Sequence, residues 1–279
     1  MLVTIASDVD TLMLPGGPDV SAGDVWGVLA DGLDGVWGGV DQRASETDNP
    51  SGGGSLWPGR VVPAARYITI RFAHRSNTSA VAEMEARDRI AGLTGRRLTV
   101  GVDTDAGHRE IAGIIKTKPE FAHKDPWTCT CGVVIWCPDP LWRGMPVTTS
   151  GRWGATTSGG GLRYPLYDAG GTLFYDISAP LNRIMVPNVG REASWPILTT
   201  DGPAEWVRFT CAGRVVEMMH PSNTLRIDCN AGTAQDLSGD VTAWLTRDDF
   251  FKIMPGGADV SFQASGPVGF AVEVAPAWL

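Results

Sequence analysis

Glycine and proline interrupt this chain so often that long helices are excluded over most of its length. The 279 residues include 35 glycines and 19 prolines, and the stretches between them are apolar or alternating runs of strand length. In an alternating run, every second side chain lies on one face of a strand. The runs predict strands at 2–6, 66–72, 98–102, 110–116, 128–137, 183–186, 205–211, 215–219, 224–229, 259–264 and 269–274. These strands indicate an all-β fold.

One segment, at about 79–93, has the pattern of a helix. Its apolar residues recur on one helical face, and its acidic and basic residues lie mostly elsewhere. Polar residues before the segment and glycines at its end supply the expected caps. The face is formed by Ala82, Ala86, Ile90 and Leu93. The fold is therefore predicted to be all-β with one helix.

The length of the chain and two polar segments predict two domains. Residues 144–161 are rich in glycine, serine and threonine and follow a predicted strand, so they are expected to be an excursion from the sandwich that contains the domain boundary. We therefore predict a β-sandwich or barrel domain at 1–147 and a second β-sandwich at 148–279. Residues 41–60 have almost no apolar side chains apart from Leu56 and Trp57, so they cannot pack a core of their own. They are predicted to form an extended arm.

Charge and apolar content limit the partners of the protein. The net charge is -8 and the pI is near 5.0, without the clustered Lys and Arg that grip nucleic acid. No apolar run approaches the roughly 20 residues that cross a bilayer, and the first residues lack the pattern of a secretion signal. The five cysteines are an odd number in a chain of this length, which predicts free thiols in a reducing compartment. We expect a soluble protein that stays in the cell that makes it.

Two groups of residues resemble metal sites but depart from their geometry. His123, Cys129, Cys131 and Cys137 are zinc-ligand types, yet three of them share one apolar strand, and His123 would lie far from Cys137. Buried, apolar cysteines are favoured instead. Residues 103–107 resemble the opening of a calcium loop, but its twelfth position is an isoleucine rather than the required carboxylate. A hairpin turn is predicted there, and no metal is expected.

Catalytic motifs are missing from the sequence. There is no Gly-x-Ser-x-Gly nucleophile motif, and the four histidines stand in unrelated contexts. The glycine-rich loops lack the Lys-Ser/Thr ending of a phosphate-binding loop. We therefore expect a protein that binds and assembles, without a cofactor, rather than an enzyme.

The eleven tryptophans suggest surfaces for partners as well as core. Some lie among apolar neighbours and are predicted to be core: Trp127, Trp136, Trp206 and Trp244. Others are flanked by glycine, proline or polar residues and are candidates for exposed or interface positions: Trp26, Trp37, Trp57 and Trp153.

The order of these parts resembles that of the distal tail proteins, or minor tail proteins, of long-tailed, non-contractile bacteriophages. In the first half the matching sequences are RYITIR at 66–71, RRLTV at 96–100 and VIWCPDP at 134–140. In the second half they are PNVG at 187–190, WPIL at 195–198, LRID at 225–228 and MPGGADVS at 254–261. The resemblance spans nearly the whole chain and rests on the order of the motifs.

This resemblance implies a homohexameric ring at the tip of the tail, in the virion, made in the host cytoplasm. The first domain would form the ring, and the second, a galectin-like sandwich in this family, would project outward. The ring would join the tail tube protein to the baseplate hub and receptor-binding proteins, with an open lumen for the tape-measure protein and for DNA. The arm would clasp a neighbouring subunit, with Asn49, Leu56, Trp57 and Arg60 as interface candidates. The candidates for exposed aromatic contacts are Trp26, Trp37 and Trp153.

Two other functions remain open from the sequence. The first is carbohydrate binding through the carboxy-terminal β-sandwich, where Trp206 and Arg208 on one strand come nearest to a sugar-binding surface. The second is a hydrolase with a β-sandwich accessory domain, which the missing catalytic signatures disfavour.

Overall fold

The computed structural model describes residues 1–16, 25–59, 61–76, 80–125, 127–154, 161–167, 173–176, 182–221 and 224–279. The chain forms two compact units, one of residues 1–144 together with Leu279 and one of residues 145–278. The sequence places its boundary close by, at 147/148. Among the described residues the fold is mostly strand, with a single α-helix, so the predicted all-β class with one helix is confirmed.

The first unit contains eleven strands and the helix in the part of the chain that is described. They are β1 Leu2–Ala6, β2 Thr11–Pro15, β3 Val25–Asp34, β4 Gln42–Arg43, β5 Val62–Pro63, β6 Arg66–Arg75, α1 Ala80–Gly92, β7 Leu98–Thr104, β8 Gly107–Ile115, β9 Glu120–Asp125, β10 Thr128–Cys137 and β11 Trp142–Gly144.

The main sheet of this unit has the strand order β2-β1-β7-β8-β10-β6-β3, and neighbouring strands in it are antiparallel. One edge of β10 pairs along its whole length with β6. Its other edge is shared, because β9 covers the beginning of β10 and β8 covers the end. Within the described residues the sheet runs from β2 to β3 without closing, so the barrel alternative for this domain is wrong.

Alternation of apolar and polar residues builds the core of the first unit. In β6 and β10 every second residue is buried, and these side chains meet those of β1, β2 and β7 in one cluster. Helix α1 adds Ile90 to this cluster, and Leu93 follows just beyond its end. Arg89 donates to Asp10 in the turn between β1 and β2, with Nη2 2.7 Å from Oδ1, and so fixes the helix to the sheet.

The second unit contains fourteen strands in its described residues. They are β12 Val147–Trp153, β13 Gly161–Tyr167, β14 Leu173–Asp176, β15 Arg183–Val186, β16 Ile197–Thr200, β17 Trp206–Cys211, β18 Arg214–Met219, β19 Leu225–Asp228, β20 Thr233–Asp236, β21 Gly239–Asp240, β22 Leu245–Asp248, β23 Ala258–Ala264, β24 Val268–Val274 and β25 Ala277–Trp278. A 3-10 turn lies at Thr242–Trp244.

Two antiparallel sheets of the second unit enclose one core. Their strand orders are β12-β24-β16-β19-β20-β21 and β15-β23-β17-β18-β22. Phe262 lies at its centre, with ring centroids 4.8 Å from Phe209 and 4.4 Å from Phe270. Phe209 and Phe262 come from one sheet and Phe270 from the other, so aromatic packing joins the two sheets.

A buried asparagine fixes the loop after β15. Asn188 donates from Nδ2 to the carbonyl oxygens of Glu192 and Ile253, and its Oδ1 accepts from the backbone nitrogen of Gly190 at 2.9 Å. This residue belongs to the PNVG sequence that contributed to the family resemblance. These three hydrogen bonds explain how the side-chain amide of Asn188 holds the loop in place.

One sequence interpretation of this region is wrong. Residues 144–161 were expected to be an excursion from the sandwich, but β12 occupies Val147–Trp153 and pairs with β24 over seven residues. The polar composition reflects a strand with one solvent-facing side rather than a loop.

Candidate assembly surface around the arm

The predicted arm is a narrow hairpin that leaves the first unit between β4 and β5. Gln42 pairs with Pro63 at its base, and Asp48 and Ser55 form an isolated bridge farther out. At the tip, the backbone nitrogen of Asn49 donates to the carbonyl of Gly54 at 2.9 Å. The Asn49 Oδ1 also accepts from the backbone nitrogen of Ser51 at 3.1 Å, so this side chain shapes the turn. The arm therefore has its own backbone hydrogen bonds but no core.

The exposed apolar side chains of the arm lie just after the bridge. Trp57 is 92% exposed and Leu56 is 48% exposed. An indole left this open gains almost nothing from packing in its own subunit, whereas tryptophan is enriched at the centres of protein interfaces. Arg60, the fourth predicted interface residue, lies outside the described residues.

A buried arginine anchors the root of the arm. Arg66, only 1% exposed, donates from Nε to the carbonyl oxygen of Pro140 at 3.0 Å. Its Nη1 donates to the carbonyl oxygens of Gly35 at 2.8 Å and Gly38 at 3.2 Å. Burial lowers the pKa of this guanidinium, and these carbonyl groups replace the water that it loses. Arg66 thus ties two distant segments to the start of β6.

Those two segments form the walls of a cleft. The loop at 35–38 contributes Val36 and Trp37, and the segment after Pro140 contributes Trp142. The turn between β7 and β8 closes the cleft, which has a volume of about 70 Å³. Gly35 fits its place because its φ is +72° and a Cβ there would lie 1.9 Å from the carbonyl oxygen of Tyr67.

The cleft combines aromatic walls with polar groups. Trp142 is 3% exposed, and its indole nitrogen has no hydrogen-bond partner among the described residues. Thr104 and Arg109 also line the cleft, and Trp37 at its mouth is 56% exposed. Sequence reasoning selected Trp37 from its glycine neighbours but missed Trp142, whose burial depends on contacts distant in sequence.

The other candidate aromatic residues have different environments. Trp26 is partly buried against the first core, with its ring 4.3 Å from that of His74, and Trp153 is partly buried against the second core. Both side chains keep part of their surface in solvent, so their proposed role as aromatic contacts stays a prediction. Trp127 and Trp244 are 47% and 51% exposed, so the prediction that they are core residues is wrong.

The cysteines are free and buried, as predicted. Burial raises the pKa of Cys131 to about 12, of Cys137 to about 11 and of Cys229 to about 12. His123, expected from the sequence to lie far from Cys137, contacts Glu83 on α1. In the part of the chain that is described, no group of three or more potential ligands could hold a metal ion. The predicted hairpin at 103–107 is confirmed, since Thr104 pairs with Gly107.

The second unit has a polar groove on the outer face of its six-stranded sheet. It has a volume of about 410 Å³, and Gly269 and Ala271 line it together with polar side chains. Arg152, Thr199 and Asp201 line it. Trp206 and Arg208, the sequence candidates for sugar binding, lie on the other sheet. The Arg208 guanidinium lies 5.5 Å from the Trp206 ring centroid and is hydrogen-bonded to Glu217, so it is already engaged.

Comparison with solved structures finds proteins with a similar architecture. The crystal structure of the Dit protein of phage SPP1, described as a paradigm of the hub adsorption apparatus in phages that infect Gram-positive bacteria, matches with a TM-score of 0.64 and 12% identity, over 100% of both chains. The chain has the Dit fold. A chain from the phage P2 baseplate in its activated conformation matches with a TM-score of 0.53 and 9% identity, over 98% of this chain and 97% of that one.

The Dit fold confirms, at the level of architecture, the resemblance to distal tail proteins that the sequence motifs indicate. No family model and no curated protein matches the sequence. The solved structures match at only 12% and 9% identity, so the likeness is one of fold rather than of sequence. Among the described residues, the Dit fold here contains no helix long and apolar enough to cross a membrane.

Proposed function

We propose that the protein is a structural component of a phage tail tip, where six copies form a ring that joins the tail tube to the baseplate hub. The observation that carries this proposal is the Dit fold over the full length of both chains. A partial match would leave room for a shared accessory domain. A match over both units supports the same division of labour, with the first unit forming the ring and the second projecting as a galectin-like domain.

The charge of the chain suits a ring with an open lumen. Six copies at -8 each carry -48. Phosphates are repelled by such a ring, so the tape-measure protein and then DNA pass through without being held. The role is structural rather than catalytic, in the virion, after synthesis in the host cytoplasm.

The partners follow from this position. The ring contacts the tail tube protein on one side and the hub, with its receptor-binding proteins, on the other. The arm supplies a contact between subunits, because this hairpin has no core of its own and exposes the apolar side chains of Leu56 and Trp57. Closed rings arise when such a head-to-tail contact repeats with a fixed rotation.

The proposal is tested by the mass and shape of the purified protein. Light scattering after size exclusion is expected to give about 178 kDa, six times 29.7 kDa. Negative-stain images are expected to show sixfold rings with an open centre. A protein that remains monomeric at high concentration, and that also fails to form rings when mixed with its tail tube protein, contradicts the proposal.

Carbohydrate binding is a second candidate function, favoured by the groove on the six-stranded sheet. Its lining of Arg152, Asp201 and threonine hydroxyls offers donors and acceptors of the kind that bind sugar hydroxyls. Calorimetric titration with host cell-wall glycan fragments tests it. Binding that is lost in Arg152→Ala but kept in Arg247→Ala, which changes an exposed arginine on the other sheet, supports this function. No heat from any fragment contradicts it.

A further inference from the structure

We propose that a row of apolar side chains on the outer face of the main sheet binds one face of helix α1 of a neighbouring copy of this chain. The outer row consists of Tyr67, Trp136 and Ile114. The helix face consists of Met84, Asp88 and Ala91. This inference rests on the proposed ring, for which it names a contact between the first units of adjacent subunits.

The outer row crosses three neighbouring strands. Trp136 on β10 pairs with Tyr67 on β6 and with Ile114 on β8. The adjacent residues Ile68 and Ile135 are buried in the first core, so the row points to the opposite face of the sheet. Tyr67 is 53% exposed, Ile114 is 38% exposed and Trp136 is half-buried. Large apolar side chains grouped on a solvent-facing surface are typical of a site that binds another protein.

The outer row has a basic border in a chain that is acidic as a whole. Lys116 follows β8, and its Nζ lies 5.4 Å from the centroid of the Trp136 ring. Arg97 immediately precedes β7, beside the β8 position of Ile114. Both are exposed, and the ion pairs among the described residues include neither of them. The row therefore favours an acidic partner.

An acidic residue on the same face of the sheet lies at a distance from this border. Asp34 on β3 pairs with Thr69 on β6, which pairs with Val134 on β10, and the backbone nitrogen of Lys116 donates to Val134. Three strand spacings, or about 14 Å, therefore separate the backbones of Asp34 and Lys116. The carboxylate of Asp34 also accepts a hydrogen bond from the backbone nitrogen of Gly35.

Helix α1 carries the complementary surface. Met84, Asp88 and Ala91 follow one another at intervals of four and three residues, so they share one side of the helix. All three are exposed, and the exposed fraction of Met84 is 60%. Glu85, next to this face, is also exposed. The helix thus presents an apolar side chain between two carboxylates.

The basic residues of the helix do not cancel this negative charge. Arg87 pairs with Glu83 on the same helix, with 2.7 Å between Nη2 and Oε1. Arg89 pairs with Asp10 in the turn between β1 and β2. Each arginine is therefore neutralised within its own subunit, and the acidic helix face is left for a partner.

The two surfaces match in length as well as in charge. Neighbouring strands are about 4.8 Å apart, so the outer row from Tyr67 to Ile114 spans about 10 Å. Met84 and Ala91 are separated by about 10 Å along the helix axis, since a helix rises about 1.5 Å per residue. Methionine adapts to aromatic surfaces, and its sulfur packs well against rings. With Met84 on the row, the carboxylate of Asp88 meets the basic border.

One subunit cannot make this contact with itself. Ile90 of α1 packs in the same cluster as Ile68 and Ile135, so the helix lies on the core side of these strands. The outer row points away from that cluster. The helix face must therefore come from a second copy. A contact between two different surfaces of one chain is head-to-tail, and it closes into a ring when the rotation is right.

Cross-linking between differently tagged subunits tests the contact. Met84→Cys subunits with one tag are mixed with Tyr67→Cys subunits with another and treated with a short bismaleimide, and the mass of the assembly in the same sample is measured. The native cysteines are all buried, so they give a low background. We expect a product that contains both tags. The matched control replaces Tyr67→Cys with Met13→Cys on β2, a residue that is 60% exposed, and is expected to give none.

The outcomes separate this inference from the proposed ring. Rings of six without the Met84–Tyr67 product, or with the Met13 product instead, overturn the contact between helix and row and leave the ring intact. The product in an assembly of another size supports the contact and counts against the ring. Monomers without any product, even with the tail tube protein present, overturn both. Cross-linking of Tyr67→Cys to the tail tube protein alone gives the row another partner and overturns the inference.

Charge reversal tests the same contact independently. Lys116→Glu is expected to raise the protein concentration for half-assembly by about tenfold, because it places like charges opposite each other. Asp88→Lys in the same chain reverses the partner charge and should restore assembly. Asp105→Lys, which changes an exposed aspartate in the turn between β7 and β8, is the matched control and should not restore it. Equal rescue by the two lysine variants, or rescue by neither, overturns the inference.

Discussion

The imidazole of His123 lies 3.1 Å from the carboxylate of Glu83, measured from Nδ1 to Oε2, and so joins β9 to α1. Arg87, one helical turn after Glu83, donates to the other carboxylate oxygen at 2.7 Å. Glu83 itself is 8% exposed, whereas the side chain of His123 is 54% exposed. A nearly buried carboxylate held by the His123 ring and by the Arg87 guanidinium therefore fixes the helix against the sheet.

Glu83 is expected to make the first unit sensitive to acid. Burial raises the pKa of this carboxyl, but the hydrogen bond from His123 and the positive charge of Arg87 outweigh burial, so its pKa lies below the ordinary 4.5. Because the pKa of this carboxyl is lower in the folded than in the unfolded protein, its ionised form stabilises the fold at pH values above the unfolded-state pKa. This stabilisation is lost as the pH falls through the folded-state pKa. The free energy of unfolding of wild type should exceed that of Glu83→Gln by about 1 kcal/mol near pH 7, and this difference should shrink below pH 4.5. Urea denaturation over a pH series measures it.

Glu85→Gln is the matched control for that series, because Glu85 lies on the same helix and is exposed. Its stability should follow that of wild type at each pH. A difference between wild type and Glu83→Gln that does not change with pH would count against the ion-pair explanation.

Replacing Arg66 by methionine should destabilise the first unit strongly. Met fills part of the space but leaves the carbonyl oxygens of Gly35, Gly38 and Pro140 without their donor. Leaving buried acceptors unpaired costs about 1–3 kcal/mol, so a loss of at least about 2 kcal/mol in the free energy of unfolding is expected. Arg71→Met, an exposed arginine on the same strand, should stay within about 0.5 kcal/mol of wild type in the same denaturation experiment. Similar losses for both would contradict the role of Arg66.

Asn188→Ala should destabilise the second unit. The side chain makes three hydrogen bonds to the backbone of two segments and is 1% exposed. Its removal leaves buried backbone groups unpaired at a cost of about 2 kcal/mol. Asn230→Ala, an exposed asparagine of the same unit, is the control and should be close to neutral. Thermal unfolding followed by calorimetry compares the two variants.

The five thiols should be unreactive in the folded protein. All five are buried, and burial raises the pKa of Cys131 and Cys229 to about 12, so at mildly alkaline pH the nucleophilic thiolate is scarce. Titration with Ellman's reagent should therefore find almost no reactive thiol in native protein and all five in denaturant. Fast reaction of any thiol in the native state would show that its strand opens or that its side chain is accessible.

Local pattern was sufficient to predict much of the fold. The strands at Leu2–Ala6, Thr128–Cys137 and Arg183–Val186 were predicted to the residue, because alternation is a property of neighbouring positions. The hairpin at 103–107 and the position of α1 follow from equally local signals. Strand β12 was missed, since its polar residues become a strand only by pairing with β24, far away in sequence.

The sequence by itself determined the all-β class, the helix, the free cysteines and the polar arm, because alternation, glycine spacing and the absence of apolar residues act locally. Tertiary structure decided which tryptophans are buried and what Arg66 does. The Arg66 guanidinium binds the carbonyl groups of Gly35 and Pro140, which are 31 and 74 residues away in sequence. A pattern among neighbouring residues cannot predict contacts across such separations. The cleft between Trp37 and Trp142 exists only where those segments meet, so it could be found only in the folded chain.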